Sequence, residues 1–343
     1  MPAATPTYSN LGASGLKVSR LWLGTMMFGD RTDEAEAARI VAASRDAGLN
    51  AIDTADIYAG GEAERFTGRL IAAERDYWVL ASKLANPVGA GPNQRGLSRR
   101  HMLTAVDASL QRLGTSWIDL LYLHRDDDST PQEETIATMA TLIQSGKVRY
   151  WGVSNFRAWR IARLVQLCRE MGVPQPVACQ PPYNAMSRGI ETEVLPCCAA
   201  LGVGVVAYSP LARGVLSGKY TPDAPPPADS RAARNDRRIM QTEFRAESVL
   251  LAQRAADYAR QRGVPLTQLA LGWVWHNQWV NGLIGGPRTL AQWQDYLDAL
   301  GQPFSAEDEA FFDSLVPAGH ASTPGYTDPQ YPVTGRVPAQ PQV

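Results

Sequence analysis

The chain has 343 residues, and 45% of them are hydrophobic, which is enough to bury a full core in one large barrel or in two ordinary domains. The 33 Lys and Arg residues nearly balance the 34 Asp and Glu residues, so the net charge of -1 leaves no basic excess that would bind nucleic acid or an anionic membrane. No apolar run approaches the roughly 18 residues that a membrane helix needs, and the first ten residues carry neither the basic nor the apolar block of a signal peptide.

Four cysteines are few for a chain of this length, and their spacing fits neither a zinc site nor a disulfide framework. They are Cys168, Cys179, Cys197 and Cys198. Buried, reduced thiols are therefore expected, and this usage is typical of a cytoplasmic protein.

In chain order, the first predicted element is a hairpin over residues 7–20, whose turn is rich in Gly and Ser. After it, apolar runs typical of buried strands alternate with segments of helical spacing. The predicted strands are Arg20–Leu23, Ala51–Asp53, Trp78–Ser82, Ile118–Leu123, Val148–Val153, Pro176–Gln180, Val203–Tyr208 and Gly282–Gly285. Helical spacing is regular over Glu34–Ala47, where Asp33 is the predicted N-cap and Gly48 ends the helix, and again over Arg100–Leu113.

Strands that alternate with helices predict βαβ units and a parallel sheet. Eight such units at this length fit an α/β fold of the (β/α)8 TIM barrel type, with an N-terminal hairpin and extra C-terminal helical segments. Residues 1–343 are predicted to form a single domain, because no linker rich in Gly, Pro or Ser divides the chain near its middle. No G-x-G-x-x-G motif follows a strand, which disfavours a Rossmann domain. The nearest look-alike, at Gly89 and Gly91, has its third glycine too far away at Gly96.

Two stretches depart from this alternation. Leu211–Thr242 is rich in Pro and Arg and follows the seventh strand, and an additional helical segment, Glu243–Arg262, precedes the last repeat helix at Thr267–His276. Residues 318–343 are predicted to be a loop or a flexible tail, because the segment is rich in Pro and Gly. Long loops in a compact barrel are usually lids or binding loops, and a tail of this composition is equally consistent with disorder.

Ionisable residues follow three successive predicted strands. Asp53 ends the second strand and Tyr58 lies on the loop after it, Lys83 follows the third strand, and His124 follows the fourth. Each has an ordinary explanation when taken alone, as a helix cap, a packed ring, a solvated lysine or a rim histidine. Because chemistry in a barrel gathers where the strands end at the C-terminal face, the four residues together predict one site.

These four side chains can work together as a proton donor for a carbonyl group. A phenol has a pKa of about 10, too high for a ready donor, and a nearby ammonium would lower the pKa of Tyr58 by roughly one to three units. Burial would tend to discharge Lys83, so Asp53 is needed to keep it protonated. His124 would orient the carbonyl oxygen, and the acid step would contribute a factor of about 10²–10⁴. No side chain delivers hydride, so a cofactor is required.

Several motifs between Leu11 and about Leu300 are shared with a known family. They are Leu11–Ser19, Leu23–Gly29, Ile52–Tyr58, Ser82-Lys83, Tyr122–Arg125, Gly152–Phe156 and Tyr208–Leu211. In these segments the chain resembles the aldo-keto reductase family, and more closely its branch similar to potassium channel β-subunits. The resemblance implies a TIM barrel that binds NADP(H) without a Rossmann fold and reduces aldehydes and ketones. It also implies Tyr58 as the general acid, Lys83 and Asp53 as the residues that tune it, and His124 as the residue that orients the carbonyl group.

The resemblance also implies cofactor contacts at the rim. Ser154, Asn155 and Gln180 would hydrogen-bond the nicotinamide carboxamide, Tyr208 would stack on the ring, and Asp53 would touch the ribose. Taken without the resemblance, Ser154 could equally be a helix cap and Tyr208 a core aromatic residue. The further implied contacts are Gly24, Thr25 and Met26 at the nicotinamide ribose, and Ser209, Pro210, Leu211, Ala212, Arg213 and Lys219 along the pyrophosphate.

The segment after the eighth strand resembles the adenine-side clamp of the family. Its implied contacts are Gly286, Arg288, Gln292, Asp295 and Tyr296. Arg288 suits a 2′-phosphate, because a guanidinium binds phosphate in a fork, and a helix N-terminus near Thr289 also favours negative charge. This favours NADP(H) over NAD(H). The chain departs from the family at Tyr296, where an Asn is usual, and Tyr296 would either stack on adenine or cover it.

The predicted substrate-binding residues are Phe28, Tyr58, His124 and Trp151. Phe28 and Trp151 would form an apolar wall, although either could equally belong to the core. No metal site is expected, because the three carboxylates of Asp126–Asp128 are adjacent, whereas hard cations need spaced oxygen ligands. The predicted partner is a small carbonyl substrate, with no nucleic acid and no membrane, and the sequence does not reveal the oligomeric state.

Two functions remain open from the sequence. The first is NADPH-dependent reduction of aldehydes or ketones. The second is a nicotinamide-sensing regulatory subunit with weak reductase activity, which the resemblance to β-subunits permits. The complete set of proton-handling residues favours the first. A hydrolase is unsupported, because the sequence contains no G-x-S-x-G nucleophile elbow.

Overall fold

The computed structural model describes residues 8–334, which begin with the predicted antiparallel hairpin. Strand β1 (Tyr8–Asn10) pairs with strand β2 (Lys17–Ser19). The hairpin turn lies against the start of the seventh barrel strand, where a Cβ atom on Gly12 would be 2.5 Å from the backbone nitrogen of Gly204. Since no side chain fits at this point, the two backbones touch, and the hairpin closes the N-terminal end of the barrel.

Eight parallel strands form a closed barrel, which confirms the predicted (β/α)8 fold. They are β3 (Leu21–Gly24), β4 (Ala51–Asp53), β5 (Val79–Leu84), β6 (Ile118–Leu123), β7 (Val148–Ser154), β8 (Ala178–Gln180), β9 (Gly204–Ala207) and β10 (Gly282–Gly285). Each strand pairs with the next along the chain, and β10 also pairs with β3, so the ring is complete. Because all the strands run in the same direction, their carboxyl ends meet at one face.

The predicted strands match the observed ones to within two residues, and two of the differences have clear physical causes. Strand β5 runs to Leu84 and therefore includes Lys83, which the prediction placed after the strand. The prediction stopped at a charged residue, but this lysine is buried and paired. Strand β8 begins at Ala178 rather than at Pro176, because proline has no backbone N–H to donate to a neighbouring strand.

Helices surround the barrel and cover part of its C-terminal face. In chain order they are α1 (Glu34–Asp46), α2 (Glu62–Ile71), α3 (Arg99–Leu113), α4 (Gln132–Gln144), α5 (Ala158–Glu170), α6 (Val194–Leu201), α7 (Arg237–Gln241), α8 (Ala246–Arg262), α9 (Leu266–His276), α10 (Leu290–Asp298) and α11 (Ala306–Leu315). Helix α1 begins after its predicted N-cap, Asp33, whose side chain accepts a hydrogen bond from the N–H of Glu36. Over residues 8–334, no helix is both long enough and apolar enough to span a membrane.

The core has two layers. Inside the barrel, a small cluster of buried side chains includes Trp22, Leu120 and Tyr122. A larger cluster between the barrel and the helices includes Phe28 and Trp151. Because successive strand residues point to opposite faces, the layer that a residue joins decides whether it can reach the mouth of the barrel.

The Pro/Arg-rich loop and the described part of the tail are joined beside the C-terminal face. Arg238, in the short helix α7, forms an ion pair of 2.6 Å with Asp328 of the tail. Arg157, just before α5, donates from Nη2 to the carbonyl oxygen of Tyr331 at 2.7 Å. Residues 318–334 thus form an irregular segment that several contacts hold in place, and residues 335–343 lie outside the described residues.

Helix α2 packs so closely against the end of α3 that Gly68 has no room for a side chain. A Cβ atom at Gly68 would lie 2.1 Å from the carbonyl oxygen of Leu113. We therefore expect Gly68→Ala to lower the free energy of unfolding by about 1–3 kcal/mol, because overpacking forces the two helices apart. Urea denaturation measures the change. Gly189→Ala is the control, because a Cβ atom there meets nothing within 4 Å. Equal decreases in the free energy of unfolding for the two variants would contradict the close packing of α2 against α3.

Candidate active site

A cavity of about 1150 Å³ opens at the carboxyl ends of the barrel strands. Its walls come from residues at or just after the strand ends, from the Pro/Arg-rich loop, from α8 and from the tail. Most of the predicted site residues lie on these walls. They are Gly24, Thr25, Met26, Asp53, Tyr58, His124, Ser154, Asn155, Gln180, Tyr208, Ser209, Pro210, Leu211, Arg213, Lys219, Gly286, Arg288, Gln292, Asp295 and Tyr296.

Lys83 lies at the centre of the four predicted proton-handling residues. Its side chain is buried within β5, and its ammonium has three acceptors. It forms an ion pair with Oδ1 of Asp53, the last residue of β4. It also donates to the carbonyl oxygen of Thr54 at 2.7 Å and to the phenol oxygen of Tyr58 at 3.2 Å. These acceptors hold the ammonium directly behind the phenol.

The loop that carries Tyr58 is tied to the same strand as Lys83. The backbone N–H of Asp56 donates to the carbonyl oxygen of Lys83 at 3.1 Å. Tyr58 then begins a short 3-10 helix, Tyr58–Gly61, in which Ala59 adopts a left-handed φ of 48°. The chain therefore turns sharply after β4 and keeps the phenol over the ammonium.

His124 lies beside the phenol of Tyr58. It follows strand β6, and its ring is nearly perpendicular to the tyrosine ring, with 6.0 Å between the centroids. The Nδ2 of Asn155 donates to the backbone carbonyl of His124 at 2.9 Å. Burial, together with the positive charges of Lys83 and Arg125, holds the pKa of His124 well below its usual range. The imidazole is therefore neutral at pH 7, with one N–H to donate.

Burial and the Asp53–Lys83 pair together set the charges of the site. Burial lowers the pKa of Lys83, but Asp53 and Tyr58 together more than offset this effect, so the pKa of Lys83 is raised above its ordinary value. Burial also raises the pKa of Tyr58, and the ammonium of Lys83 opposes that rise. The sequence predicted a lowered pKa for Tyr58. Lys83 acts in the predicted direction, but burial outweighs it and the predicted net direction is wrong.

A network of hydrogen bonds connects the ends of β7, β8 and β9 with Asp53. Gln180 donates from Nε2 to Oδ2 of Asp53 at 2.9 Å, and Oγ of Ser154 donates to the carbonyl oxygen of Gln180 at 2.8 Å. Asn155 donates from Nδ2 to Oγ of Ser154 at 3.0 Å, and its Oδ1 accepts from the phenol of Tyr208 at 2.8 Å. The amide and hydroxyl groups predicted to hold a carboxamide thus converge on one wall beside Asp53.

The loop after β9, helix α8 and the segment after β10 make another part of the cavity strongly cationic. The positively charged residues that line it are Arg213, Lys219, Arg231, Arg234, Arg238, Arg260 and Arg288. The acidic residues that line the cavity are Asp53, Asp229 and Asp295. Asp229 pairs with Arg288 at 2.6 Å. Among the described residues of these walls, positive charge exceeds negative charge, which suits a ligand that carries phosphate groups.

Tyr296, where the chain departs from the family pattern, has its ring seated on the cavity wall. The centroids of the Tyr296 and Trp293 rings are 5.6 Å apart, and a Cβ atom on Gly285 would lie 2.8 Å from the tyrosine ring. Beside it, Oε1 of Gln292 accepts from the backbone N–H of Arg288 at 2.9 Å. The ring of Tyr296 is thus packed against two neighbours, while one side of it faces the cavity.

Three predicted contacts do not line the cavity, and their assignments need correction. Phe28 and Trp151 are buried in the outer core layer, where Trp151 donates from Nε1 to the carbonyl oxygen of Pro174 at 2.9 Å. The methyl group of Ala212 is buried in the same layer. These residues stand next to cavity residues in the sequence, but their side chains pack into the core instead of lining the cavity. Lys83 also lies off the cavity surface, behind Tyr58.

Sequence reasoning missed several residues that line the cavity. Ile57 and Asn86 follow strands β4 and β5, and Gln330 and Tyr331 come from the tail. Three arginines of the Pro/Arg-rich loop were noted for their charge but not assigned to the site. The charge of these arginines could have indicated a role in the site. The uncharged tail residues carry no such indication in the sequence, because only the fold brings the tail back to the cavity.

Comparison with known proteins extends over most of the chain. A sequence model of the aldo/keto reductase family matches residues 20–317. A probable voltage-gated potassium channel subunit beta of Arabidopsis thaliana is 38% identical over 299 residues, which cover 85% of this chain and 90% of that protein. An uncharacterized oxidoreductase of Bacillus subtilis is 35% identical over 331 residues, which cover 92% of this chain and 98% of that protein. An L-glyceraldehyde 3-phosphate reductase of Escherichia coli O157:H7 is 33% identical over 327 residues, which cover 91% of this chain and 93% of that protein.

We expect Asp53→Asn to lower the free energy of unfolding by about 3–5 kcal/mol at pH 7, because it leaves the buried ammonium of Lys83 without its counter-charge. The loss should shrink as the pH rises. Without Asp53, burial lowers the folded-state pKa of Lys83 below its unfolded value, so the unfolded state binds more protons and stability increases with pH.

Urea denaturation near neutral pH and again in alkaline buffer measures both effects. Asp107→Asn is the matched control, because Asp107 pairs with Lys147 on the exposed surface and its loss should cost less than about 1 kcal/mol. Equal decreases in the free energy of unfolding for Asp53→Asn and Asp107→Asn would show that the buried ion pair does not have the proposed role.

Proposed function

The chain belongs to the aldo/keto reductase family, and on this premise we propose that it reduces aldehydes or ketones to alcohols with NADPH as the hydride donor. The observation that carries the proposal is the meeting of Asp53, Tyr58, Lys83 and His124 at one end of the barrel. The phenol lines the cavity, the ammonium lies behind it, and the imidazole lies beside it. Such an arrangement can protonate a carbonyl oxygen.

NADPH, when bound, supplies the hydride that no side chain can supply. The described residues fit this cofactor in two ways. The cationic residues of the cavity match the charge of its phosphate groups, and the amide groups of Asn155 and Gln180 match a carboxamide. The cavity of about 1150 Å³ exceeds the roughly 300–1,000 Å³ of an ordinary small-molecule site, as a dinucleotide with a substrate requires.

In the proposed reaction, Tyr58 gives its phenolic proton to the carbonyl oxygen while the carbonyl carbon accepts hydride, so the product is an alcohol. Lys83 stabilises the phenolate that remains, and a proton from solvent later restores the phenol. Asp53 keeps Lys83 charged throughout. The neutral imidazole of His124 donates its single N–H to the same oxygen and so orients the carbonyl group.

We assign Ser154, Asn155 and Gln180 to the carboxamide of the nicotinamide and Tyr208 to the face of its ring. The support is their shared hydrogen-bond network, which holds the four side chains on one wall. Gln180 also donates to Asp53, so a ring held on this wall lies beside the proton donor. The nicotinamide and the proton donor must lie this close together, because hydride and proton go to the two atoms of one carbonyl group.

We assign Arg288 to the 2′-phosphate of the cofactor, which supports NADP(H) over NAD(H). Arg288 is paired with Asp229, but the side chain of Asp229 is 72% exposed, so this pair is weak. A phosphate with two negative charges would be a stronger partner for the guanidinium. The backbone at Arg288 also leads into the N-terminus of α10, and the positive end of the helix dipole there favours an anion.

Part of the cavity rim carries uncharged side chains. Met26, Ile57 and Asn86 follow the first three barrel strands there, and two uncharged residues of the tail join them. The cationic residues lie instead on the loop after β9, on α8 and after β10. An uncharged aldehyde or ketone is compatible with these uncharged side chains. A neutral aromatic aldehyde is the natural assay substrate.

A second candidate function is a nicotinamide-sensing regulatory subunit with weak reductase activity. The observation that favours it is the 38% identity with plant proteins named as probable voltage-gated potassium channel β-subunits. Kinetics with excess NADPH separate the two functions, because an enzyme continues to turn over, whereas a sensor stalls at the release of product or cofactor. Both functions fit the cytoplasmic location expected from the cysteine usage.

We expect Tyr58→Phe to lower kcat for a neutral aromatic aldehyde by about 10²–10⁴-fold, because the variant lacks the proton donor. The Kd for NADPH should change by less than about twofold, since the phenol is not assigned to the cofactor. Absorbance of NADPH gives kcat, and a fluorescence titration gives Kd. Tyr8→Phe, in the hairpin at the far end of the barrel, is the control and should keep full activity. A Tyr58→Phe protein with the wild-type kcat would refute the proposal.

We expect Arg288→Ala to raise the KM for NADPH by about 10- to 100-fold, because charge-assisted hydrogen bonds to a phosphate contribute about 1.5–3 kcal/mol. The KM for NADH should stay within about twofold, because NADH has no 2′-phosphate. Initial rates with each cofactor provide both values. Arg254→Ala, an exposed arginine of α8 that does not line the cavity, is the matched control. An equal rise for both cofactors contradicts the assignment.

A further inference from the structure

Asp56 is a buried carboxyl group that the proposed reaction does not use. It lies three residues after Asp53 and two before Tyr58, and only 4% of its surface is exposed. Neither carboxyl oxygen has a hydrogen-bond partner among residues 8–334. Buried polar side chains nearly always have such partners, so an unpartnered carboxyl group two residues before the proton donor needs an explanation.

The groups around Asp56 explain why it is left without a donor. Glu64, on α2, is fully buried and accepts from Oγ of Ser82 at 2.6 Å and from Nε of Arg112, on α3, at 2.7 Å. Arg112 also donates from Nη2 to Oγ of Ser109 at 3.1 Å. The strongest nearby donors are thus committed to other acceptors.

A carboxylate in such surroundings is costly, so the neutral acid is favoured. Burial and the negative charge of Glu64 raise the pKa of Asp56 to about 7. The positive charges of Arg112 and Lys83 oppose this rise, as does the N–H of Ile57, which lies near the carboxyl group without meeting hydrogen-bond geometry. The charged groups that face Asp56 therefore come from α2, α3 and β5.

We propose that Asp56 is a positioning residue of the reductase site, which holds a proton in the active form of the site and, when it ionises, adds a negative charge within electrostatic reach of Lys83. The inference rests on the proposed function. Two observations support it: the carboxyl oxygens are buried and unpartnered among residues 8–334, and the N–H of Asp56 donates to the carbonyl oxygen of Lys83 at 3.1 Å.

Ionisation of Asp56 weakens the acid that protonates the substrate. The positive charge of Lys83 reaches Asp56, so an ionised Asp56 offsets part of the field that Lys83 exerts on the phenol, and Tyr58 becomes a poorer donor. Because the positive charge of Arg112 acts on Asp56 more strongly than that of Lys83 does, Arg112 compensates part of the added charge, and the effect on the rate is partial, on the order of two- to fivefold.

The test is the pH dependence of hydride transfer in a single turnover, followed by the absorbance of NADPH. Wild-type protein should lose about two- to fivefold in rate as the pH rises through about 7, before the larger fall that belongs to Tyr58. Asp56→Asn, which has nearly the same shape and stays neutral, should lack this first step and keep the second. A step near pH 7 that persists in Asp56→Asn, or a wild-type rate without such a step, would overturn the proposal.

A second variant separates a titrating group from a merely structural one. Glu64→Gln removes the negative charge that opposes the ionisation of Asp56, so the first step should move to lower pH by about one unit. A structural role for Asp56 predicts no such movement. An unchanged midpoint in Glu64→Gln would count against the assignment of the step to Asp56.

An infrared difference spectrum between acidic and alkaline buffer measures the protonation state of the carboxyl group of Asp56 and does not require turnover. Wild-type protein should lose the C=O stretching band of a protonated carboxyl group near pH 7, and Asp56→Asn should lack that band. If the protein consumes no NADPH, the proposed function fails while the band can still report on Asp56. If the band is absent in wild-type protein, the present inference fails whatever the activity.

Discussion

The buried ion pair between Asp53 and Lys83 is the constraint on which the rest of the site depends. An ammonium without a partner costs several kcal/mol to bury, so a lysine inside a barrel strand needs a carboxylate on the neighbouring strand. Once Asp53 has engaged it, Lys83 donates its other protons to the carbonyl oxygen of Thr54 and to the phenol of Tyr58. The ion pair that makes Lys83 tolerable inside the barrel therefore also holds the phenol of Tyr58 next to the ammonium. The proposed proton chemistry depends on this position of the phenol.

The same carboxylate joins the two halves of the proposed reaction. One oxygen of Asp53 contacts the ammonium, and the other accepts from Gln180, which belongs to the wall assigned to the nicotinamide. The cationic residues lie farther along the chain, on the loop after β9 and the segment after β10. We thus assign the proton donor, the nicotinamide and the phosphate groups to separate segments of the chain. A parallel barrel brings these segments to the same face, because all its strands end there.

The fold and the positions of the four proton-handling residues could be predicted because both follow local rules. Strands and helices alternate with recognisable periods, and Asp53, Lys83 and His124 stand at or beside the ends of apolar runs. Other features depend on the tertiary structure. Whether Trp151 joins the core or the cavity depends on which side of the barrel wall it faces, and the return of Tyr331 to the cavity is a long-range event. The pKa of Tyr58 rises because of burial, which sequence spacing does not report.

The most direct test of this account is the pKa of Lys83. The chain has four lysines, so NMR of protein labelled with ¹³C at the lysine Cε carbon gives few signals, and Lys83→Arg identifies the relevant one. We expect this signal to keep its protonated position until the pH exceeds the ordinary lysine pKa of 10.5, because Asp53 holds the ammonium in its charged form. A Lys83 signal that titrates below that value in the wild-type protein would contradict the claim that Asp53 holds the ammonium in its charged form.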